Sequence, residues 1–177
     1  MRNNKFYLII IILVILQSCS PRLRPFTQNL WETHEWSEAE LQKIQFYVSE
    51  DIVLHRFLKG ETSEIINGEI KIIDGRKVEE IRIPHGTPGV YTFSPKKDRL
   101  AISFEDGKYL IFGPNPKRKD SYVLLASTWE RNKGIVTYDD RKFTTPSKSA
   151  FSTLMIDIKH IDKTDSKIRV VKGRKVD

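Results

Sequence analysis

The side chains able to do chemistry in this chain of 177 residues are few and scattered. Its single cysteine, Cys19, carries a thiol that becomes a nucleophile when ionised. Its four histidines, His34, His55, His85 and His160, fall in different segments, with no i, i+4 pair to grip a metal from one helix. No HExxH, GxSxG, phosphate-binding loop or cysteine–histidine signature is present. The segment Pro84-His85-Gly86-Thr87-Pro88-Gly89 reads as turn chemistry, because a strand pattern follows it where a phosphate cradle needs a helix. No catalytic residue, metal site or cofactor site is therefore assigned, although a dispersed constellation stays open because triads are defined by geometry. Two features suit binding instead. Lys117-Arg118-Lys119 follows Gly113-Pro114-Asn115-Pro116, making a proline-framed loop with a basic tip suited to phosphate or carboxylate groups. Trp129, beside Glu130-Arg131-Asn132-Lys133, falls where a hairpin loop is expected and is the best candidate for an exposed aromatic. Lys172, Arg174 and Lys175 make the C-terminus basic as well. A charge run is more often a solvated face than a site.

The surroundings of Cys19 give it a specific chemistry. A short basic stretch with Arg2 and Lys5 precedes eleven apolar residues, Phe6 to Leu16, and then Gln17-Ser18-Cys19. A membrane-spanning helix needs roughly twenty apolar residues, so this run fits the core of a cleaved signal instead. Leu16-Gln17-Ser18-Cys19 resembles the lipobox of a bacterial lipoprotein precursor, with a branched residue three before the cysteine and a small one just before it. The resemblance implies lipidation of the Cys19 thiol, cleavage before it, and acylation of the new amine. Several acyl chains hold a protein at a bilayer without a span, each buried CH₂ adding about 0.8 kcal/mol. The residue after the cysteine is Ser20 rather than the aspartate that retains such proteins at the inner membrane of enteric bacteria. Ser20-Pro21-Arg22-Leu23-Arg24-Pro25 also lacks the acidic cluster of surface-exposed lipoproteins. The resemblance thus places the protein in the inner leaflet of the outer membrane, facing the periplasm.

Composition sets the remaining bounds. Without residues 1–18 the chain has 159 residues, enough for one domain with a core that needs no disulfide or metal staple. Net charge falls from +7 to +5 once Arg2 and Lys5 are removed. A basic exported protein meets anionic lipid headgroups, peptidoglycan carboxylates or acidic protein surfaces, and nucleic acid is not an expected partner in that location. The same modest charge also serves plain solubility.

The elements that must position these groups are short. Residues 19–30 read as a lipidated N-terminus and linker, and 31–177 as a single β-rich domain. Ser37 and Glu40 form a capping box that opens a helix, with Leu41, Ile44 and Val48 at helical spacing toward the core. The aromatic cluster Trp31, His34 and Trp36 lies just before it, and packing under the helix start is favoured over an exposed sugar- or partner-docking surface. No second helix is expected. Alternation marks strands at Ile52–Leu58, Ile70–Ile72, Ile81–Ile83, Val90–Phe93, Leu100–Phe104, Tyr109–Phe112, Tyr122–Ala126, Gly134–Tyr138, near Phe143, Leu154–Ile158 and Ile168–Val170. Asp74-Gly75 is a hairpin turn, and Val78, out of phase with Ile81 and Ile83, predicts a bulge. A faint similarity relates Ile52-Val53-Leu54…Asp74-Gly75-Arg76-Lys77 to Tyr122-Val123-Leu124…Asp139-Asp140-Arg141-Lys142. About ten short strands with one N-terminal helix predict an all-β domain, either an antiparallel sandwich or a small barrel.

These observations favour a non-enzymatic, lipid-anchored accessory or scaffold subunit that binds another envelope protein through a sheet edge, the Trp129 loop or the basic loop. A binding module for a lipid, glycan or other amphipathic small molecule is the alternative, and an enzyme with a dispersed site is third. A large interior cavity would favour the second. A filled core with exposed aromatics at one edge would favour the first.

Overall fold

A computed structural model describes residues 22–58, 68–73, 75–117, 120–130 and 132–157. Alternating apolar positions build thirteen strands among these residues, arranged in two antiparallel sheets. The first sheet has the order β1-β13-β2-β6-β7-β8-β9. Its strands are β1 (Leu23–Pro25), β2 (Gln45–Val48), β6 (Pro88–Lys96), β7 (Arg99–Glu105), β8 (Lys108–Pro114), β9 (Tyr122–Leu124) and β13 (Leu154–Asp157). The second sheet has the order β10-β11-β12-β3-β5-β4. It contains β3 (Ile52–Phe57), β4 (Glu69–Ile73), β5 (Arg76–Ile83), β10 (Thr128–Glu130), β11 (Lys133–Tyr138) and β12 (Arg141–Pro146). The fold is thus the sandwich of the two expected architectures. The first sheet curls without closing: β9 meets Thr153 through one isolated bridge, and the Tyr122 N–H donates to the Phe26 carbonyl at 3.0 Å.

Three short helices cover the ends: α1 (Gln28–His34), α2 (Glu38–Leu41) and α3 (Ser147–Ala150). The capping box forms, with the Ser37 N–H donating to Glu40 Oε2 at 2.8 Å, but the helix it opens lasts a single turn. Leu41, Ile44 and Val48 are all buried, yet Val48 gets there on β2, where Phe46 and Val48 alternate with Gln45 and Tyr47. Pairing with β13 on one side and β6 on the other outweighs a helical spacing that three residues can satisfy either way. The segment expected as a linker likewise supplies β1, paired Leu23↔Asp157, and the start of α1, capped where Thr27 Oγ1 accepts from the Leu30 N–H at 3.1 Å. Pro25 is tolerated because β1 is an edge strand.

Buried residues of both sheets form one core. Phe26 is its aromatic centre, stacked on Trp36 at 5.7 Å and edge-on to Tyr122 at 4.8 Å and Phe46 at 5.6 Å. Trp36 is buried under the helices, as its place in the sequence suggested, and His34 stacks on its far face at 4.7 Å.

No bulge separates Val78 from Ile81. Pairing of β5 with both β3 and β4 runs without a break. The register Ile52↔Ile83, Leu54↔Ile81, Arg56↔Glu79 instead puts Glu79 on the core-facing side and Val78 on the other. Glu79 is fully buried and bonded to Arg56, whose Nε donates to Glu79 Oε2 at 2.7 Å. The two similar hairpins both lie in the second sheet, turning through Gly75 and through Asp139-Asp140, each of the latter at positive φ as a two-residue hairpin requires. Their leading strands β3 and β9 lie in different sheets, so the similarity ends at the hairpins. Ile158 and the Ile168–Val170 strand lie outside the described residues.

Candidate functional site

The candidate site forms where the chain crosses from one sheet to the other. β9 ends the first sheet, Leu125–Ser127 makes the crossing, and β10 begins the second at its edge. Pro114 ends β8, and the Asn115 side chain then shapes the basic loop by accepting the Lys117 N–H at 2.9 Å. Gly113 leaves room for Leu125, whose Cδ1 lies 2.6 Å from where a β-carbon on residue 113 would stand. Gly134 does the same for the tryptophan. Trp129 pairs with Gly134 across β10 and β11, and its Cη2 is 3.1 Å from the missing β-carbon, so the indole lies over bare backbone. Trp129 therefore sits on a strand rather than in the hairpin loop expected from its polar neighbours.

The result is an apolar cleft of about 460 Å³. Val123, Leu125 and Ala150 are among its apolar walls, and Lys117 and Asn132 bring polar groups to it. Trp129 is 49% exposed and Phe151 is 66% exposed, giving the opening two large apolar surfaces. Lys117 and Trp129, two of the residues expected to bind, thus line one cavity. Arg118, Lys119 and Arg131 lie outside the described residues, as do Leu16, Gln17, Ser18 and Cys19. Phe151 was not expected at the site. It directly follows α3, whose polar Ser147-Lys148-Ser149 has no amphipathic period to betray a helix, and it is carried to β9 by the bridge at Thr153 and by the Leu124 N–H donating to the Ser152 carbonyl.

A second recess of about 470 Å³ is lined from both sheets, by Ile81, Ile83 and Tyr138 of the second and Phe104 and Glu105 of the first. Two of its carboxylates, Glu80 and Glu105, are already engaged. Glu105 accepts from the Tyr138 hydroxyl at 3.0 Å and contacts Lys108 Nζ at 3.1 Å, while Glu80 bonds both Lys71 and His55. The Lys71 ammonium holds the Glu80 carboxyl below its ordinary range, outweighing its partial desolvation, and His55 acts in the same direction. Folded Glu80 therefore gives up its proton at lower pH than the unfolded chain. Its contribution is complete above the ordinary value of 4.5 and is lost as pH falls through the lowered one. Thermal melts between about pH 6 and about pH 3 should show a smaller acid-induced fall in Tm for Glu80→Gln than for the unmodified chain. Equal falls would disprove that linkage.

The histidines remain apart. His34 stacks on Trp36, His55 Nε2 is 2.9 Å from Glu80, and the backbone N–H of His85 donates to Asp51 at 2.9 Å. His160 lies outside the described residues. Among the described residues no three or more histidine, cysteine or acidic side chains gather as metal ligands.

No known family, curated protein or solved structure matches this chain. The geometry of the cleft is therefore the basis for reading its chemistry. An indole and a phenyl ring at the mouth accept an apolar side chain, and the Lys117 ammonium adds attraction for an acidic group beside it.

Proposed function

We propose that this chain is a lipid-anchored cell-envelope protein, held through Cys19 at the periplasmic face of the outer membrane. Its sandwich serves as a non-enzymatic accessory subunit that docks another envelope protein. The observation that carries this reading is the cleft lined by Trp129, Phe151 and Lys117, which sets two exposed aromatic side chains and a cation around one apolar cavity. Exposed aromatics are the side chains that most often dominate protein interfaces, since they give large contact area for little lost freedom. The partner segment that fits places an apolar side chain between the two rings and a carboxylate toward Lys117. The second reading, an amphipathic small ligand, is supported by the cleft's size and apolar walls, which fall in the range of small-molecule sites.

Affinity purification from detergent-extracted membranes, followed by mass spectrometry for proteins and small molecules, separates the two. A stoichiometric envelope protein should be recovered with the unmodified chain and reduced at least about tenfold with Trp129→Ala or Lys117→Glu. Recovery unaffected by both substitutions would remove the cleft from the interface. A lipid or glycan recovered without protein would establish the second reading. The anchor has its own check. Cys19→Ala should abolish incorporation of radioactive fatty acid, and undiminished labelling would exclude lipidation at Cys19.

A further inference from the structure

Strand β4 ends the second sheet. It pairs with β5 through Glu69–Ile73 and, among the described residues, with no strand on its other side. Such an edge offers a row of backbone N–H and C=O groups to another chain. Ile70 is 53% and Ile72 is 75% exposed, and both share the face of the sheet that carries Leu54 and Ile81. Glu69 and Lys71 project from the opposite face, where Lys71 bonds Glu80.

We propose that β4 pairs antiparallel with β4 of a second copy of this chain, in the register centred on Ile70. The pattern Gly68-Glu69-Ile70-Lys71-Ile72 is self-complementary in that register. Ile70 meets its own counterpart, Glu69 faces Lys71 twice across the two-fold axis, and Ile72 falls opposite Gly68, which has no side chain to oppose it. Centring on Lys71 would oppose two ammonium groups, and centring on Ile72 would set Lys71 against Ile73. The half-step registers would join opposite faces of the two sheets. Charge complementarity therefore selects one pairing and one occupant. Because the axis is normal to the joined sheet, both copies keep their first sheets, and the β1 strands that follow Cys19, on the same side. Five residues of edge bury less than a standard stable interface, so the pair is dynamic and is best read by trapping.

The chain's single cysteine makes trapping clean. Ile70→Cys in the full chain, oxidised with copper–phenanthroline in host membranes, should form a disulfide-linked homodimer, since directly opposed β-carbons lie about 4.5–5.5 Å apart. Ile72→Cys, opposite glycine, should be trapped at least about tenfold less. The unmodified chain reports any background from Cys19, and a Cys19→Ala background removes it, so a failure of lipidation is distinguished from a failure of pairing. Adding Lys71→Glu should reduce trapping at position 70 about tenfold, and the swap Glu69→Lys with Lys71→Glu should restore it. The swap also places a lysine opposite Glu80, which keeps β4 on its sheet. No trapping at 70, equal trapping at 70 and 72, capture of a different protein at 70, or no rescue by the swap would each overturn the proposal.

Discussion

Phe26→Ala should destabilise the domain by about 3–5 kcal/mol, a large share of the roughly 5–15 kcal/mol that holds a typical domain folded. The side chain is fully buried and meets Trp31, Trp36, Phe46 and Tyr122, so truncation leaves a cavity among rings that cannot collapse into it. Its backbone adds to the effect. The Phe26 N–H donates to Leu154 at 2.8 Å and its carbonyl accepts from Tyr122 at 3.0 Å, so this residue links β13 to β9, strands at different places in one curled sheet. Thermal unfolding should show a fall in Tm on the order of 10 °C. Phe151→Ala, which removes an equally large but exposed ring, should change stability by less than about 0.5 kcal/mol. Indistinguishable melts for the two variants would refute the assignment of Phe26 as the core's centre.

The second large effect belongs to the buried ion pair. Arg56→Ala should destabilise by about 3–5 kcal/mol, because it strips the guanidinium from a carboxylate that has no access to water. A β-carbon on residue 68 would stand 2.5 Å from Glu79 Cγ, so the Glu79 side chain lies in space that only a glycine at that position leaves open. Replacing both partners by apolar residues of similar size, Arg56→Met with Glu79→Leu, should recover most of that loss or exceed the original stability. Urea unfolding of the two variants checks this directly. A double variant as unstable as Arg56→Ala would mean that the pair contributes net stability instead of merely balancing its own desolvation.

Glu79 also shows where the sequence is hard to read. An acid in phase with Ile81 and Ile83 looks like an error in the alternation, and a bulge at Val78 is the cheaper explanation until Arg56 is seen across the ladder. Alternation was sufficient for strands whose partners bury one clear face, such as Leu154-Ile156 and Leu100-Ile102. Glycine at positive φ marked the Gly75 and Gly107 hairpins, because few side chains tolerate that backbone. Leu41, Ile44 and Val48 failed as a helical guide because their spacing suits a one-turn helix followed by a strand equally well. Trp129 was legible as exposed but not as a strand residue, since the signal for β10 is the bare backbone of Gly134 five residues later. The cleft itself was beyond the sequence. It unites Lys117, Trp129 and Phe151, which meet only through the order of strands in two sheets.

That β1 starts at Leu23 sets a leash length. A flexible stretch to residue 30 would let the domain roam about 40 Å from an anchored Cys19, whereas four peptide steps to a strand locked against β13 allow about 14 Å. With lipid on Cys19, the sandwich rides on the headgroups and turns over a narrow range of angles. Under the proposed docking role its search for a partner would then be two-dimensional, confined to molecules that share the membrane or stoop to its surface.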